Sequence, residues 1–262
     1  MQGWQKTSEL SEATRKWINT FLNNYPTLKF YYHAAIEDLN KGVDNRCYLI
    51  GQQKAGLVNR IFFDDATIST TAGTLTSSEI KMLLDDPNDG ELHVSEDQAI
   101  MLKEMAGARV LRTRELLYYQ LLDASHLHAD ENCRLLNSQE FEKARSFYEV
   151  NYPGTIFSKW MLEMPFFALL LDDTFVACGG TIAISERMKA CHIGNFLTPP
   201  QHRGKGYAKR IAATLSRHLF DAGITNIMLG TTKDNVAARS VYETLGFRMI
   251  DRRVQLDLAK SS

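Results

Sequence analysis

The stretch Thr198-Pro-Pro-Gln-His-Arg-Gly-Lys-Gly-Tyr-Ala-Lys-Arg-Ile211 joins an apolar run, residues 191–197, to a helical pattern over residues 211–220. A strand, a glycine-rich turn and the start of a helix therefore follow one another directly. Such a turn leaves several backbone N–H groups unpaired and directs them, with the positive end of the helix dipole, at one point. Gly204 and Gly206 let the backbone approach an anion closely because they have no Cβ. The stretch therefore predicts a phosphate-binding site, and above all a site for a pyrophosphate.

Positive charge surrounds this turn, and its basic side chains are Arg203, Lys205, Lys209 and Arg210. Their concentration makes a purely structural turn the weaker interpretation. A Walker-type nucleotide loop does not fit, because the chain has no Gly-x-x-x-x-Gly-Lys-Ser/Thr sequence. A dinucleotide fingerprint does not fit either, because the Gly-x-Gly-x-x-Gly spacing is absent.

Two motifs carry a family resemblance. Arg203-Gly-Lys-Gly-Tyr-Ala208 resembles the Arg/Gln-x-x-Gly-x-Gly/Ala acyl-CoA signature of the GNAT superfamily of N-acetyltransferases, and Pro200 falls where that family usually has a proline. Downstream, Asn235-Val-Ala-Ala-Arg-Ser-Val-Tyr-Glu-Thr-Leu-Gly-Phe247 is similar to the second signature of the family. The motifs stand at the usual separation, with a helix and a strand between them. The resemblance covers roughly residues 131–258.

The resemblance implies an α/β (α+β) fold class. It implies a GNAT fold in the C-terminal half, with a mixed, mostly antiparallel sheet flanked by helices. Because residues 125–132 are polar, we predict two domains, residues 1–128 and residues 131–262. In element order alone, the first, smaller α/β domain resembles the degenerate GNAT-like half of glycine N-acyltransferase-like enzymes.

The first half carries no motif with recognisable chemistry. Its apolar spacing predicts a helix over residues 8–24 that ends at Pro26, and a second helix over residues 30–39. His126 and His128 lie in the polar stretch between the halves, where solvated histidines are more common than metal ligands.

The resemblance also implies how acetyl-CoA, the co-substrate, is held. The pantetheine arm of the family fills a gap between two strands, here residues 190–198 and 227–231. Backbone groups of Phe196, Leu197 and Thr198 are expected to hold that arm. The pyrophosphate is expected on Arg203, Gly204, Lys205, Gly206, Tyr207, Ala208 and Lys209. Asn235 is expected to cap the following helix and to reach the cofactor.

Acetyl transfer to an amine needs a proton donor for the departing sulfur and a base for the amine. By resemblance, Tyr242 is the donor, and its ordinary pKa near 10 keeps it protonated at neutral pH. Many relatives use a glutamate at the start of the central strand as the base. Here His192 is the first candidate, with packing on the sheet as an equal alternative, and Glu186 is the second. A neutral amine would need no dedicated base.

Composition narrows the function classes. The 262 residues are 44% hydrophobic and 23% charged with a net charge of −1, which is typical of a soluble globular protein and disfavours nucleic-acid binding. The absence of a long apolar run disfavours a membrane span, and we expect a cytoplasmic protein. The four cysteines are widely spaced and predict free thiols, with no metal site. The oligomeric state cannot be read from the sequence.

The leading hypothesis is an acetyl-CoA-dependent N-acetyltransferase that acts on the primary amine of a small molecule or amino acid. A protein or peptide N-acetyltransferase is the alternative within the same class. A catalytically silent acyl-CoA-binding sensor is the alternative from another class.

Overall fold

The computed structural model describes residues 3–63, 67–85, 90–153 and 155–259. The chain divides into two compact units, and we call residues 1–116 with 252–262 the first unit and residues 117–251 the second. The sequence-based boundary near residue 130 differs from this division because residues 117–130 are part of the second unit. The assignment of 1–128 and 131–262 as domains stays a prediction.

The helices begin and end where caps and turns allow. Ser95 and Thr76 cap two of them by accepting hydrogen bonds from the third residue of the helix. Short 3-10 turns flank several others. The α-helices are α1 (Glu12–Phe21), α2 (Pro26–Asn40), α3 (Ser77–Leu84), α4 (Glu96–Ala106), α5 (Phe141–Asn151), α6 (Tyr207–Asp221) and α7 (Val236–Thr244).

Twelve strands occur in the described residues. The strands are β1 (Gln5–Lys6), β2 (Arg46–Ile50), β3 (Gly56–Phe62), β4 (Thr67–Gly73), β5 (Glu91–Val94), β6 (Val110–Leu121), β7 (Cys133–Leu135), β8 (Phe166–Leu171), β9 (Thr174–Ser185), β10 (Ala190–Leu197), β11 (Asn226–Thr232) and β12 (Phe247–Leu258). β6 and β12 each contribute residues to both units.

In the first unit, strands β1 to β5 follow one another in order, and β5 pairs with the end of β12. The pairs are antiparallel except β4 with β5, which is parallel. α1 and α2 pack Ile18 and Leu28 on the face that carries Tyr48 and Leu57. α3 and α4 cover a second core.

In the second unit, the strand order is β12-β6-β11-β10-β9-β8-β7. β10 pairs with β11 in parallel, whereas β7, β8, β9 and β10 pair in antiparallel fashion. α6 and α7 bury Ile211, Leu215 and Tyr242 against one face of the central strands. α5 contributes Tyr148, whose ring contacts Phe166 of β8.

This mixed architecture, with a mostly antiparallel sheet flanked by helices, confirms the predicted fold class. None of the described helices combines the length and the apolar character needed to cross a bilayer.

Candidate functional site: a parted strand pair and a glycine turn

The central strands of the second unit part before they end. β10 and β11 are paired from Ala190–Asn226 to Ile193–Leu229. Both strands nevertheless continue, to Leu197 and Thr232. Beyond the fourth pair, the facing backbone groups are therefore open to an extended ligand that runs between the strands. The gap lies in the two segments where the family resemblance predicts the pantetheine arm.

A bulge marks the same part of β10. The register of β10 against β9 shifts between Gly194 and Leu197, so Asn195 and Phe196 together oppose the single residue Gly179, and β10 carries one extra residue. Asn195 has a φ of 54°, a left-handed conformation that asparagine tolerates better than most residues. The Phe196 ring covers Gly179, where an added Cβ would come within 2.3 Å of the ring. The bulge thus redirects the strand at the point where the gap opens.

Two hydrogen bonds hold this bulge. The Tyr148 hydroxyl of α5 donates to the Asn195 carbonyl oxygen at 2.5 Å, and the Asn195 Nδ2 donates to the Ile156 carbonyl oxygen at 2.8 Å. Tyr148 is 2% exposed, and burial raises the pKa of its phenol. Tyr148 is therefore a positioning residue for the strand beside the gap, and the sequence contained no recognised signal for it.

Tyr148→Phe is expected to lower the stability by about 1–2 kcal/mol, because the Asn195 carbonyl loses a buried donor. It is also expected to lower kcat about tenfold with little change in KM for acetyl-CoA, because a displaced bulge misaligns the gap. Ala144→Gly, one turn earlier in α5, costs about 1 kcal/mol without touching the bulge. Steady-state kinetics and thermal unfolding of both variants separate the two effects. Equal kcat in the two variants would show that Tyr148 acts on stability alone.

The glycine turn presents a row of free backbone donors. Gly204 and Gly206 have φ angles of 77° and 75°, and no heavy atom lies within 4 Å of a Cβ built on either. Arg203 N and Arg210 N donate to backbone carbonyls, whereas the N–H groups of residues 204–209 donate to none of the described residues. Six donors without an acceptor among the described residues therefore lie at the positive end of the 15-residue α6. We call residues 204–209 the N–H row.

The basic residues of the turn differ in their partners. Lys205 and Lys209 are exposed and form no ion pair within the part of the chain that the structure describes. Arg203 folds back, and its Nε donates to the Thr198 carbonyl oxygen at 3.1 Å. Arg210 instead forms a double hydrogen bond with Asp130, and Nη2 lies 3.1 Å from Oδ1. The expectation that Arg210 adds positive charge to the anion site is therefore wrong, because Asp130 neutralises it.

Asp130→Asn is expected to destabilise the second unit by about 1–2 kcal/mol at pH 7, because the charged pair is lost. The Arg210 guanidinium holds the pKa of Asp130 below its ordinary value of 3.8. A depressed folded-state pKa gives stability that is present above that ordinary pKa and is lost as the pH falls below it. The difference in Tm between wild type and variant is therefore expected to shrink between pH 4 and pH 2. A constant difference in thermal unfolding scans would contradict the assignment.

Tyr242 is surrounded by aromatic rings beside the gap. Its ring centroid is 6.0 Å from Phe196, 6.1 Å from Phe247 and 6.4 Å from Tyr119. The residue is 6% exposed, and its hydroxyl forms no hydrogen bond with the described residues. Burial raises the pKa of the phenol, which keeps it protonated through the neutral range. A buried donor without a protein partner is available to a ligand.

The two candidate bases occupy different places. His192 pairs in register with Met228 and contacts the Tyr118 ring at 6.2 Å. Its neighbours Cys191 and Ile193 join the core under α6 and α7, so His192 points to the opposite face of the sheet. Glu186 is exposed in the turn before β10, and the four residue steps from Ala190 to Gly194 span about 13 Å. His192 therefore lies near the end of the paired segment, whereas Glu186 lies well away from the gap.

The second motif positions α7. Asn235 accepts a hydrogen bond from Ala238 N at 3.2 Å and caps the helix, as predicted. Gly246 has a φ of 95°, and a Cβ there would lie 1.9 Å from the Asp123 carbonyl oxygen. Glycine at this position lets α7 end against the loop after β6. This contact fixes the position of Tyr242, which lies one turn before Gly246.

Possible metal ligands are not clustered. Within the described ranges, no three His, Cys, Asp or Glu side chains are grouped so as to hold a metal ion. The four cysteines are buried free thiols, and His126 lies 3.6 Å from Asp123 at the surface.

Comparison with known proteins identifies the second unit. Residues 130–247 match the sequence model of the Acetyltransferase (GNAT) family. No curated protein matches the sequence. These residues are an acetyltransferase domain of the GNAT family, which confirms the resemblance, and the family implies acetyl-CoA as co-substrate.

Solved structures share the fold at low identity. A Drosophila melanogaster protein is 11% identical, with a TM-score of 0.72 over 99% of each chain. A GCN5-related N-acetyltransferase-like protein from Streptococcus suis is 14% identical, with a TM-score of 0.68 over 94% of this chain and 98% of its own. A GCN5-related N-acetyltransferase from Kribbella flavida is 16% identical, with a TM-score of 0.59 over 88% of this chain and 95% of its own. The degenerate GNAT-like character of the first half stays a prediction.

Proposed function

We propose that this protein transfers an acetyl group from acetyl-CoA to the primary amine of a small molecule or amino acid. The observation that carries the proposal is the N–H row, six donors at the start of α6 that have no partner among the described residues. A diphosphate supplies several acceptor oxygens and a negative charge at one point, which suits this row and the helix dipole. Exposed Lys205 and Lys209 add long-range attraction.

The parted strands support the same ligand. The pantetheine arm of coenzyme A carries two amide groups, which can continue the ladder that β10 and β11 leave open after Ile193. We assign backbone groups of Phe196, Leu197 and Thr198 to that arm. The Thr198 carbonyl already accepts from Arg203, but a carbonyl oxygen has a second lone pair to offer.

Tyr242 is the proposed donor to sulfur. Because burial raises its pKa, complete loss of the proton is harder than in water, and the main effect of the phenol is a hydrogen bond to the developing thiolate. His192 is the proposed base on the opposite face, where an imidazole can take the amine proton at neutral pH. The amine then gives up one proton, its nitrogen gains the acetyl group, and coenzyme A leaves as the free thiol.

Two other functions differ in what they require. A protein or peptide acceptor needs the same acetyl-CoA site and a longer groove for the acceptor. A silent acyl-CoA sensor needs binding without turnover. The buried Tyr242 phenol, whose hydroxyl has no partner among the described residues, would then have no use beside the gap. That phenol favours the enzyme over the sensor.

Release of free thiol from acetyl-CoA, measured over a panel of small amines, amino acids and short peptides, tests the proposal. Amine-dependent release with small acceptors supports it, and release only with peptides favours the alternative acceptor. Tight binding of acetyl-CoA by calorimetry without release for any amine would indicate the sensor. If calorimetry detects no binding of acetyl-CoA, the assignment of the N–H row is wrong.

A further inference from the structure

A buried arginine in the first unit has no acceptor for two of its N–H groups. Arg46 is the first residue of β2 and is 2% exposed. Its Nε and Nη1 atoms are buried and have no hydrogen-bond partner in the part of the chain that the structure describes. An ionised group taken out of water without a partner is strongly unfavourable, so such groups are normally paired. The proposed acetyl transfer does not involve Arg46.

The neighbours of Arg46 compensate its charge only in part. Its guanidinium carbon lies 5.6 Å from the centre of the Tyr31 ring, which gives a cation–π contact but no hydrogen bond. Asp38 is close enough for the charge of Arg46 to oppose the rise that burial causes in its pKa, yet no ion pair joins the two within the described residues. The Nε and Nη1 edge of the planar guanidinium therefore lacks the planar acceptor that such a fork normally binds.

Arg46 shares a face of the sheet with a buried acceptor that has no hydrogen-bond partner among the described residues. Arg46 stands opposite Ile61 in the β2–β3 register, and Asn59 stands two residues away on β3, so both side chains point to one side of the sheet. The Asn59 Oδ1 is buried and has no hydrogen-bond partner among the described residues, and the residue is 4% exposed. Asp44, two residues before Arg46, accepts a hydrogen bond from the Ser8 hydroxyl at Oδ2, at 2.6 Å, and its Oδ1 is buried with no partner among these residues.

We propose that these residues form a second binding site, in the first unit, for a small ligand that carries a carboxylate next to an amine, as an amino acid does. The carboxylate accepts from Nε and Nη1 of Arg46, and the amine donates to Asn59 Oδ1 or Asp44 Oδ1. A phosphate dianion fits less well, because the Asp38 carboxylate adds negative charge close to Arg46. The site goes beyond the proposed acetyl transfer and shares no residue with it.

The stability of the ligand-free protein gives the first test. Arg46→Met removes a buried charge that its neighbours compensate only in part and is expected to raise Tm without ligand, because a well-packed apolar group is better there than an ion without its acceptors. Arg15→Met is the matched control, since Arg15 donates to the carbonyls of Leu10 and Thr7. That variant is expected to lower Tm. If Arg46→Met lowers Tm as Arg15→Met does, Arg46 is a structural residue and the proposal fails.

Ligand response gives the second test, with glycine, acetate and inorganic phosphate as probes. Saturating glycine is expected to raise the Tm of wild type by at least about 2 °C more than that of Arg46→Met. The general osmolyte effect of glycine is common to both proteins and cancels in this difference. Arg15→Met is expected to respond as wild type does, and acetate is expected to give a smaller rise than glycine.

Other outcomes overturn the proposal. Equal responses of wild type and Arg46→Met to glycine exclude the site, and a response to phosphate but not to glycine contradicts the carboxylate assignment. Arg46→Lys keeps the charge but loses the planar fork, and this variant replaces Arg46→Met in the ligand test if the methionine variant does not fold. It is expected to lose most of the glycine response, and a full response would also overturn the assignment.

Discussion

Tyr242→Phe is expected to lower kcat about 100-fold and to leave the affinity for acetyl-CoA within about threefold. The substitution removes only the hydroxyl, which has no partner among the described residues, so the protein loses no internal hydrogen bond. The rings of Phe196, Phe247 and Tyr119 still pack against the phenylalanine. The expected loss lies in the stabilisation of the departing thiolate, an interaction made only as the bond to sulfur breaks.

Rates of thiol release with saturating amine measure kcat, and calorimetry measures the affinity. Tyr25→Phe in the first unit is the control, because it removes the same atom from a tyrosine that stacks on Phe21 and takes no part in the site. An unchanged kcat in Tyr242→Phe would show that the phenol is not the donor. A fall in affinity equal to the fall in kcat/KM would instead assign Tyr242 to uniform binding of the cofactor.

The parts of the site that the sequence predicts are local in the chain. The glycine turn, the capping Asn235 and the glycine after Tyr242 each depend on a few consecutive residues, and the structure has the turn, the cap and the left-handed glycine there. All three features are parts of helix ends, whose geometry is determined by a few neighbouring residues.

The missed features join residues far apart in the chain. Asp130 meets Arg210 across 80 positions, and Tyr148 meets Asn195 across 47. In the sequence, Asp130 lies in a polar linker and Tyr148 is an ordinary helix tyrosine. The local pattern around each residue does not indicate its distant partner. The contribution of β6 and β12 to both units is of the same kind.

The sequence predicts Pro26 as the end of the first helix. It is also the first residue of α2, so the helix predicted over residues 30–39 runs from Pro26 to Asn40. Proline suits this first position because its missing N–H would have no helical partner there and its φ is already helical.

Gly206→Ala is expected to weaken the binding of acetyl-CoA by about 10- to 100-fold, or about 1.4–2.8 kcal/mol. Alanine at a φ of 75° costs about 1–2 kcal/mol of backbone strain, but a Cβ has no heavy atom of the protein within 4 Å. The methyl group therefore fits the free protein and occupies the space through which a diphosphate reaches the N–H row. A matched control lies just beyond the other end of α6, where Gly223 has a φ of 88° and equally open space around its Cβ. Gly223→Ala carries similar strain and is expected to lose stability without losing affinity. Calorimetry with both variants then separates strain from obstruction, and equal affinities would remove the N–H row from the cofactor site.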